Sequence, residues 1–306
     1  MRNRAMLSGI HSSGQLIVTL GVVLIVSLIT ILIGVALALP FFGSEVLQFM
    51  EGLDISSSKA IHFGKYMQII SHLGMFIIPS FLLAYLFGSQ VTGYLYLDVW
   101  PSLRTFVLSA VLIFAAVPFI NFILEMNMEM QLPQSLEYVE DWIRAREESA
   151  ERITNTFLSV ETVWGLLFNI FMIAMIPAIG EELMFRGVLM RVFSRWTGNA
   201  HWAVWITAIL FSAIHIQFFG FFPRMVLGVL FGYLVVFSGS VWPAIVAHFV
   251  NNAAAVTFFY LFQHKVTDGT YENLGKGTQG LYYAGFSLVA TLVIMFLVKK
   301  YGKYKY

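Results

Sequence analysis

The sequence predicts an all-α fold: a polytopic membrane helical bundle of about eight transmembrane helices with one amphipathic surface helix. Hydrophobic residues make up 58% of the 306 positions and charged residues only 11%, and the mean hydropathy is +0.78, far above that of a soluble domain. Apolar runs of membrane length also recur along the whole chain. We therefore expect one integrated bundle that satisfies its backbone polar groups internally, rather than two soluble domains.

The first apolar run, 16–42, is about 26 residues long, too long for the core of a cleaved signal peptide, and predicts a retained helix. Each later run is near or above the roughly 17–25 residues that a spanning helix needs, although 222–239 is short for a span. The runs that predict further spans are 66–87, 105–124, 160–192, 200–218, 222–239, 241–262 and 281–298.

Residues 135–153 predict an amphipathic helix outside the bilayer core. Glu140 and Arg144, and also Glu148 and Arg152, are spaced four residues apart, so each pair shares a helix face. The apolar side chains that fall along one side are Leu136, Val139, Trp142 and Ile143. We expect a solvated helix that rests on the membrane surface.

The distribution of Lys and Arg in short loops predicts the orientation. In an eight-helix arrangement the basic loop residues share one side, which we expect to be the cytoplasm, with both chain termini there. These residues are Arg2, Arg4, Arg104, Arg191, Arg195, Lys299, Lys300, Lys303 and Lys305. The opposite loops include the acidic stretch 43–58, but three arginines within 125–155 weaken the bias.

Composition also excludes several kinds of function. The formal net charge is +1 and no long run of like charge occurs, so we expect no nucleic-acid partner. The chain has no cysteine, which excludes disulfides, thiolate catalysis and Cys-ligated metal. Any chemistry must therefore use carboxylate, imidazole, amide or hydroxyl groups.

The stretch IGEELMFRGVLMR places Glu181, Glu182 and Arg186 inside an apolar span. An ionised side chain at mid-membrane costs at least about 2.5–3.5 kcal/mol on insertion scales, so this cluster needs a reason. On a helix Glu182 and Arg186 share a face and can pair, whereas Glu181 points about 100° away. A pair that only fixes helix packing is the alternative interpretation, and it leaves Glu181 without a partner.

Two later spans carry polar side chains at helical spacing: FSAIH sets Phe211 and His215 four residues apart, and HFVNN sets His248 and Asn252 four apart. At 1.5 Å per residue from the predicted span ends, the two imidazoles and Glu181 lie about 11–22 Å below the cytoplasmic surface. These depths are compatible with one shared cavity.

A carboxylate that binds a water can act as general base with one imidazole, while a second imidazole and an amide donate to an oxyanion. This combination predicts hydrolysis of a peptide bond without a covalent intermediate. His72 and Asn121 also lie in spans, but a lone His or Asn on an apolar helix more often makes an interhelical hydrogen bond, so we leave both out of the site.

The segments GEELMFRG, FSAIH and HFVNN, in this order, resemble the EExxxR, FxxxH and HxxxN motifs of the CAAX protease and bacteriocin-processing family, membrane glutamic endopeptidases also called Abi or Rce1-like proteins. The resemblance covers roughly 160–260. Around that segment we expect an N-terminal part with transmembrane helices and the surface helix over 1–155, a catalytic membrane core over 156–265, and a C-terminal helix with a basic tail over 266–306, all within one bundle.

The roles that the resemblance implies are water activation by Glu181 with His215, organisation of the site by Glu182 and Arg186, and an oxyanion hole from His248 and Asn252. A metal-free mechanism is favoured. Because family members are often described as metalloproteases, Glu181, His215 and His248 form an alternative Zn²⁺ ligand set of the carboxylate-plus-imidazole type.

The resemblance also implies a substrate in or on the cell membrane: a prenylated CaaX protein, a bacteriocin-type peptide or another lipidated or membrane-associated chain. Apolar neighbours of the site agree with such a substrate, although core or lipid-facing packing also accounts for them; they are Met184, Phe185, Phe211, Phe218 and Phe219. Two other functions stay open. One is a proton-coupled transporter with a Glu and His relay, and the other is a non-catalytic immunity or scaffold protein.

Overall fold

The computed structural model describes residues 5–51, 57–269, 273–277 and 279–302, and all regular secondary structure within these ranges is helical. The helices are α1 Ser12–Phe42, α2 Glu45–Glu51, α3 Ser58–Phe87, α4 Val91–Tyr94, α5 Leu103–Met128, α6 Glu137–Leu158, α7 Val163–Thr197, α8 Ala200–Ala213, α9 Phe221–Ser238, α10 Trp242–Gln263 and α11 Gly280–Tyr301.

Within the described ranges, seven helices are long and apolar enough to cross a membrane: α1, α3, α5, α7, α9, α10 and α11. The polytopic helical bundle predicted from the sequence is therefore confirmed. The run at 200–218 differs from its prediction, because α8 ends at Ala213. Its 14 residues make a helix about 21 Å long, shorter than the roughly 30 Å of a bilayer core.

Both ends of the described chain lie at the same end of the bundle. The Leu7 N–H donates to the Leu86 carbonyl, at 2.9 Å, next to the end of α3. The loop after α4 is joined to the loop after α9 by the bond from the Val241 N–H to the Tyr96 carbonyl, at 3.1 Å. Gly302 packs against the last turn of α9. The contacts agree with the prediction that both termini share one side.

Basic residues gather at this same end. The Arg104 guanidinium lies 5.6 Å from the Tyr301 ring, and Arg191 Nη2 donates to the Gly93 carbonyl at 3.1 Å. That this side is the cytoplasm stays a prediction. Of the residues used to predict the orientation, Arg2, Arg4, Asp54, Lys303 and Lys305 lie outside the described residues.

The surface helix forms as α6 and lies at the opposite end of the bundle. Arg144 Nη2 donates to Glu140 Oε1 at 2.6 Å, the pairing that the spacing predicts. This hydrogen bond, with a second one from the Leu132 N–H, lowers the pKa of the Glu140 carboxyl. At its end α6 is tied to α7, because Asn169 Nδ2 donates to the Phe157 carbonyl at 2.9 Å.

Pro118 interrupts the backbone hydrogen bonds of α5, and a side chain of α11 repairs the gap. The Ser287 hydroxyl accepts from the Phe119 N–H at 3.1 Å and donates to the Ala115 carbonyl. These two backbone groups would bond to each other in an uninterrupted helix. The insertion fastens α11 to α5 at the depth of the break.

We expect Ser287→Ala to lower the free energy of unfolding by about 1–2 kcal/mol, because two backbone groups lose their partner in an apolar environment. Thr291→Val is the matched control on the same helix. The Thr291 hydroxyl is buried and has no hydrogen-bond partner among the described residues, so its removal should change stability by less than about 0.5 kcal/mol. Denaturation in detergent micelles measures both, and equal losses would contradict the bridging role.

Candidate active site

The charged cluster of α7 lies where the helix changes its winding. The α-helical segment Ile176–Glu182 follows a wider π-helical segment, Ile170–Met175, and precedes another, Leu183–Leu189. Glu181 and Glu182 end the regular segment and Arg186 lies in the second wide one. Such π segments inside α-helices occur frequently at functional sites, because the extra residue changes the direction of the side chains.

Glu182 and Arg186 form the ion pair that their spacing predicts. Arg186 Nη1 donates to Glu182 Oε1 at 2.8 Å, and both side chains are fully buried. Arg186 Nη2 donates to the Gly228 carbonyl of α9 at 2.9 Å, and the guanidinium lies 4.8 Å from the Phe211 ring. Glu182 Oε1 also accepts from His248 Nδ1 of α10 at 2.9 Å. The pair therefore holds α7, α9 and α10 together.

Glu181 points away from Arg186, as expected, and its carboxylate lies between two imidazoles. Its Oε1 is 3.5 Å from His72 Nε2 on α3, and its Oε2 is 3.9 Å from His248 Nε2 on α10. The carboxylate is buried, with about 7% of the side chain exposed. Among the residues that the structure describes, Glu181 thus has no cationic partner at ion-pair distance except an imidazole that carries a second proton.

Three imidazoles around Glu181 share one arrangement, in which Nδ1 is bound to an oxygen that can only accept. The acceptors are the Gln68 carbonyl at 3.1 Å for His72, the Phe211 carbonyl at 2.8 Å for His215, and the Glu182 carboxylate for His248. Nδ1 therefore carries a proton in each ring, and Nε2 is bare when the ring is neutral.

Two ionised carboxylates and one guanidinium give this cluster one net negative charge in a buried site. One extra proton among the carboxylates and rings of the cluster would neutralise that charge. An imidazolium at His248 would also turn its Nε2 into a hydrogen-bond donor, which an oxyanion needs.

His215 lies in the turn after α8 rather than on the face of a longer helix. Its ring still reaches back to the Phe211 carbonyl, so the four-residue spacing has a physical basis. The loop is held from outside by α6, whose Glu147 Oε1 accepts from the Phe219 N–H at 2.7 Å. Ile216 in this loop has a φ of 51°, in the left-handed region that a β-branched residue rarely occupies.

The side-chain amide of Asn252 is hydrogen-bonded to a backbone carbonyl. Its Nδ2 donates to the Ile173 carbonyl at 3.2 Å, and its Oδ1 accepts from Asn251 Nδ2 at 3.1 Å. Pro177 lies four residues after Ile173 and has no N–H to donate to that carbonyl in a regular helix. At most one N–H of Asn252 is left for the predicted oxyanion hole.

Glu181, His72 and His215 line a common cavity of about 350 Å³. The other lining residues are mostly apolar and come from α1, α3 and α7; they include Leu20, Val23, Met75, Phe76, Met184 and Phe185. Among the apolar neighbours named from the sequence, Met184 and Phe185 do line this cavity, whereas Phe211 packs on the guanidinium of Arg186. The cavity is therefore lined mostly by apolar side chains, and Glu181, His72 and His215 are the ionisable groups that face it.

The sequence interpretation left His72 out of the site, and the structure places it against Glu181. The contact joins α3 to α7, as an interhelical histidine would, but its partner is Glu181, the carboxylate proposed as the general base. Nothing in the local sequence identifies it, because α3 and α7 are far apart along the chain. Asn121 keeps its structural interpretation, since its Nδ2 donates to the Leu274 carbonyl at 2.9 Å.

The alternative Zn²⁺ site does not form in the arrangement found. Among the described residues, no group of three or more His, Cys, Asp or Glu side chains lies close enough to hold a metal ion. We therefore derive no chemical step through a metal.

Comparison with known proteins gives one match. Residues 163–254 match the family model described as type II CAAX prenyl endopeptidase Rce1-like, which extends from the start of α7 into α10. No curated protein and no solved structure matches the chain significantly. The match includes all six site residues predicted from the sequence, although His72 lies outside it. Residues 163–254 of this integral membrane protein are therefore similar to the Rce1-like domain of a protease family.

Proposed function

We propose that this chain is an intramembrane endopeptidase that hydrolyses a peptide bond with a water activated by glutamate and histidine. The observation that supports it best is the position of Glu181, a buried carboxylate between two imidazoles that faces a cavity within an Rce1-like domain. A carboxylate with no fixed cation can accept a proton, whereas Glu182 is held by Arg186 and His248.

In the proposed reaction a water bound at Glu181 attacks the carbonyl carbon of the scissile bond, and Glu181 takes its proton. His215, which lines the same cavity, orients this water through Nε2. The oxyanion of the tetrahedral intermediate accepts from protonated Nε2 of His248 and from the remaining N–H of Asn252. The C–N bond then breaks, and the proton on Glu181 passes to the leaving amine.

The shape of the cavity favours a substrate that is held in the bilayer. Leu20 of α1, Met75 of α3 and Ile214 line the cavity and are also exposed on the side of the bundle. A chain can therefore reach Glu181 laterally, between α1 and the loop after α8. Because the matched family model is a CAAX prenyl endopeptidase, we propose a prenylated cysteine as the first lipid anchor to test. We propose that the protein lies in the cell membrane and that its cavity is open to the cytoplasm.

The test is cleavage of one quenched fluorescent peptide, with and without an S-prenyl cysteine four residues from its C-terminus, by the protein in bilayers. We expect the prenylated peptide to be cut at least about tenfold faster, because the anchor concentrates it in the membrane. A metal chelator should leave the rate unchanged. Equal rates for both peptides would rule out lipid-guided access, and cleavage only from the non-cytoplasmic side would overturn the orientation.

A further inference from the structure

We infer that His72 is a positioning residue for Glu181: it holds one carboxylate oxygen so that the other faces the reacting water. The inference rests on the proposed function. His72 Nε2 is 3.5 Å from Glu181 Oε1, closer than His248 Nε2 is to Oε2 at 3.9 Å. The two rings lie on opposite oxygens, so His72 and His248 together fix the rotation of the carboxylate.

The backbone brings His72 to this place through close approach of α3 and α7. Gly180 precedes Glu181, and a Cβ atom at this position would lie only 3.0 Å from side-chain atoms of Phe76 and Ile77. The absence of a side chain at Gly180 therefore allows the two helices to touch. His72 directly precedes the π-helical segment Leu73–Ile77, which forms this contact surface.

The ring orientation of His72 is fixed before any substrate binds. Nδ1 donates to the Gln68 carbonyl at 3.1 Å, so Nε2 is the nitrogen that faces Glu181. A neutral His72 ring and the Glu181 carboxylate each present an acceptor here, and one water that donates to both would hold Oε1 in place. This arrangement leaves Glu181 free to accept a proton and needs no second proton on His72.

His72 also lines the cavity, with about 20% of its side chain exposed. An imidazole that only joined two helices would be expected to point into the packed interior. Here the ring closes the cavity on the α3 side, next to Phe76. The second oxygen of Glu181, toward His248, is then the one that receives the proton of the water.

The substitution His72→Phe tests this role, since it keeps a ring and removes both nitrogens. With the prenylated peptide we expect kcat to fall by about 10- to 100-fold, the size usual for a group that orients a reactive side chain, while KM changes by less than about twofold. His72→Gln retains a polar group that can hydrogen-bond and should recover part of the loss. His62→Phe, whose ring is exposed and bonded to Ser58 in the first turn of the same helix, is the matched control and should keep full activity.

A readout without substrate separates this inference from the proposed function. Infrared difference spectra between the wild-type protein and Glu181→Gln identify the carboxylate stretch of Glu181. We expect His72→Phe to shift this band and His62→Phe to leave it in place. An unshifted band, or a wild-type kcat for His72→Phe, overturns the role of His72. Cleavage that survives in Glu181→Gln would instead overturn the proposed function, whatever the spectra show.

Discussion

Replacing Glu181 by Gln is expected to abolish peptide cleavage and to leave the bundle folded. The amide has nearly the same shape as the carboxylate but cannot take a proton from water, so the rate should fall by about 10²- to 10⁴-fold or below detection. Glu181 makes no ion pair with Arg186, and its contacts to His72 and His248 are longer than ordinary hydrogen bonds. Little stability should therefore be lost.

Glu182→Gln is expected to behave differently, because Glu182 Oε1 accepts from both Arg186 and His248. Its neutral amide leaves a fully buried guanidinium without a counter-charge, which costs about 3–5 kcal/mol of stability in comparable cases. Thermal unfolding and cleavage should be measured on both variants, with the exposed Glu161→Gln as the control. Equal stability loss at equal activity in the two variants would contradict the assigned roles.

The sequence predicts the parts of this site that depend on local spacing. The spacing of four positions from Glu182 to Arg186 puts both side chains on one helix face, and the ion pair follows even though the turn there is π-helical. Hydropathy likewise predicts the spans, because the bilayer sets their length and composition. These features need no knowledge of which helices are neighbours.

Features that depend on helix neighbours could not be predicted in this way. His72 approaches Glu181 because Gly180 lets α3 and α7 touch, a relation between distant segments. Asn252 binds the Ile173 carbonyl, which has no regular donor because of Pro177. Spacing and composition describe each helix separately. They cannot identify which carbonyl or carboxylate of a neighbouring helix a given side chain will contact.

Hydropathy does not predict the end of α8 at Ala213, for a related reason. The run 200–218 stays apolar beyond Ala213, so hydropathy does not report that the helix stops. The stop is made by tertiary contacts: the Ser212 hydroxyl donates to the Phe221 carbonyl at 2.6 Å, and Glu147 of α6 accepts from the Phe219 N–H. Both contacts hold the loop that carries His215.

Arg186→Met is expected to cost about as much stability as Glu182→Gln, the largest loss expected among the single changes proposed for this chain. Arg186 is fully buried and makes charge-assisted bonds to Glu182 and to the Gly228 carbonyl. Removing it leaves Glu182 charged in the interior with only His248 to balance it, and we expect a loss of about 3–5 kcal/mol. The exposed Arg146→Met on α6 is the control, expected to change stability by less than about 0.5 kcal/mol.

The double variant Glu182→Gln with Arg186→Met separates loss of the pair from loss of its individual members. Both charges are then absent, and the amide oxygen that replaces the Glu182 carboxylate can still accept from His248 Nδ1, so the ring that faces Glu181 keeps its orientation. We therefore expect the double variant to be more stable than either single variant, when unfolding is followed in detergent micelles. Strictly additive losses would mean that Glu182 and Arg186 stabilise the bundle independently, and the ion pair would then not be the element that holds α7, α9 and α10 around the site.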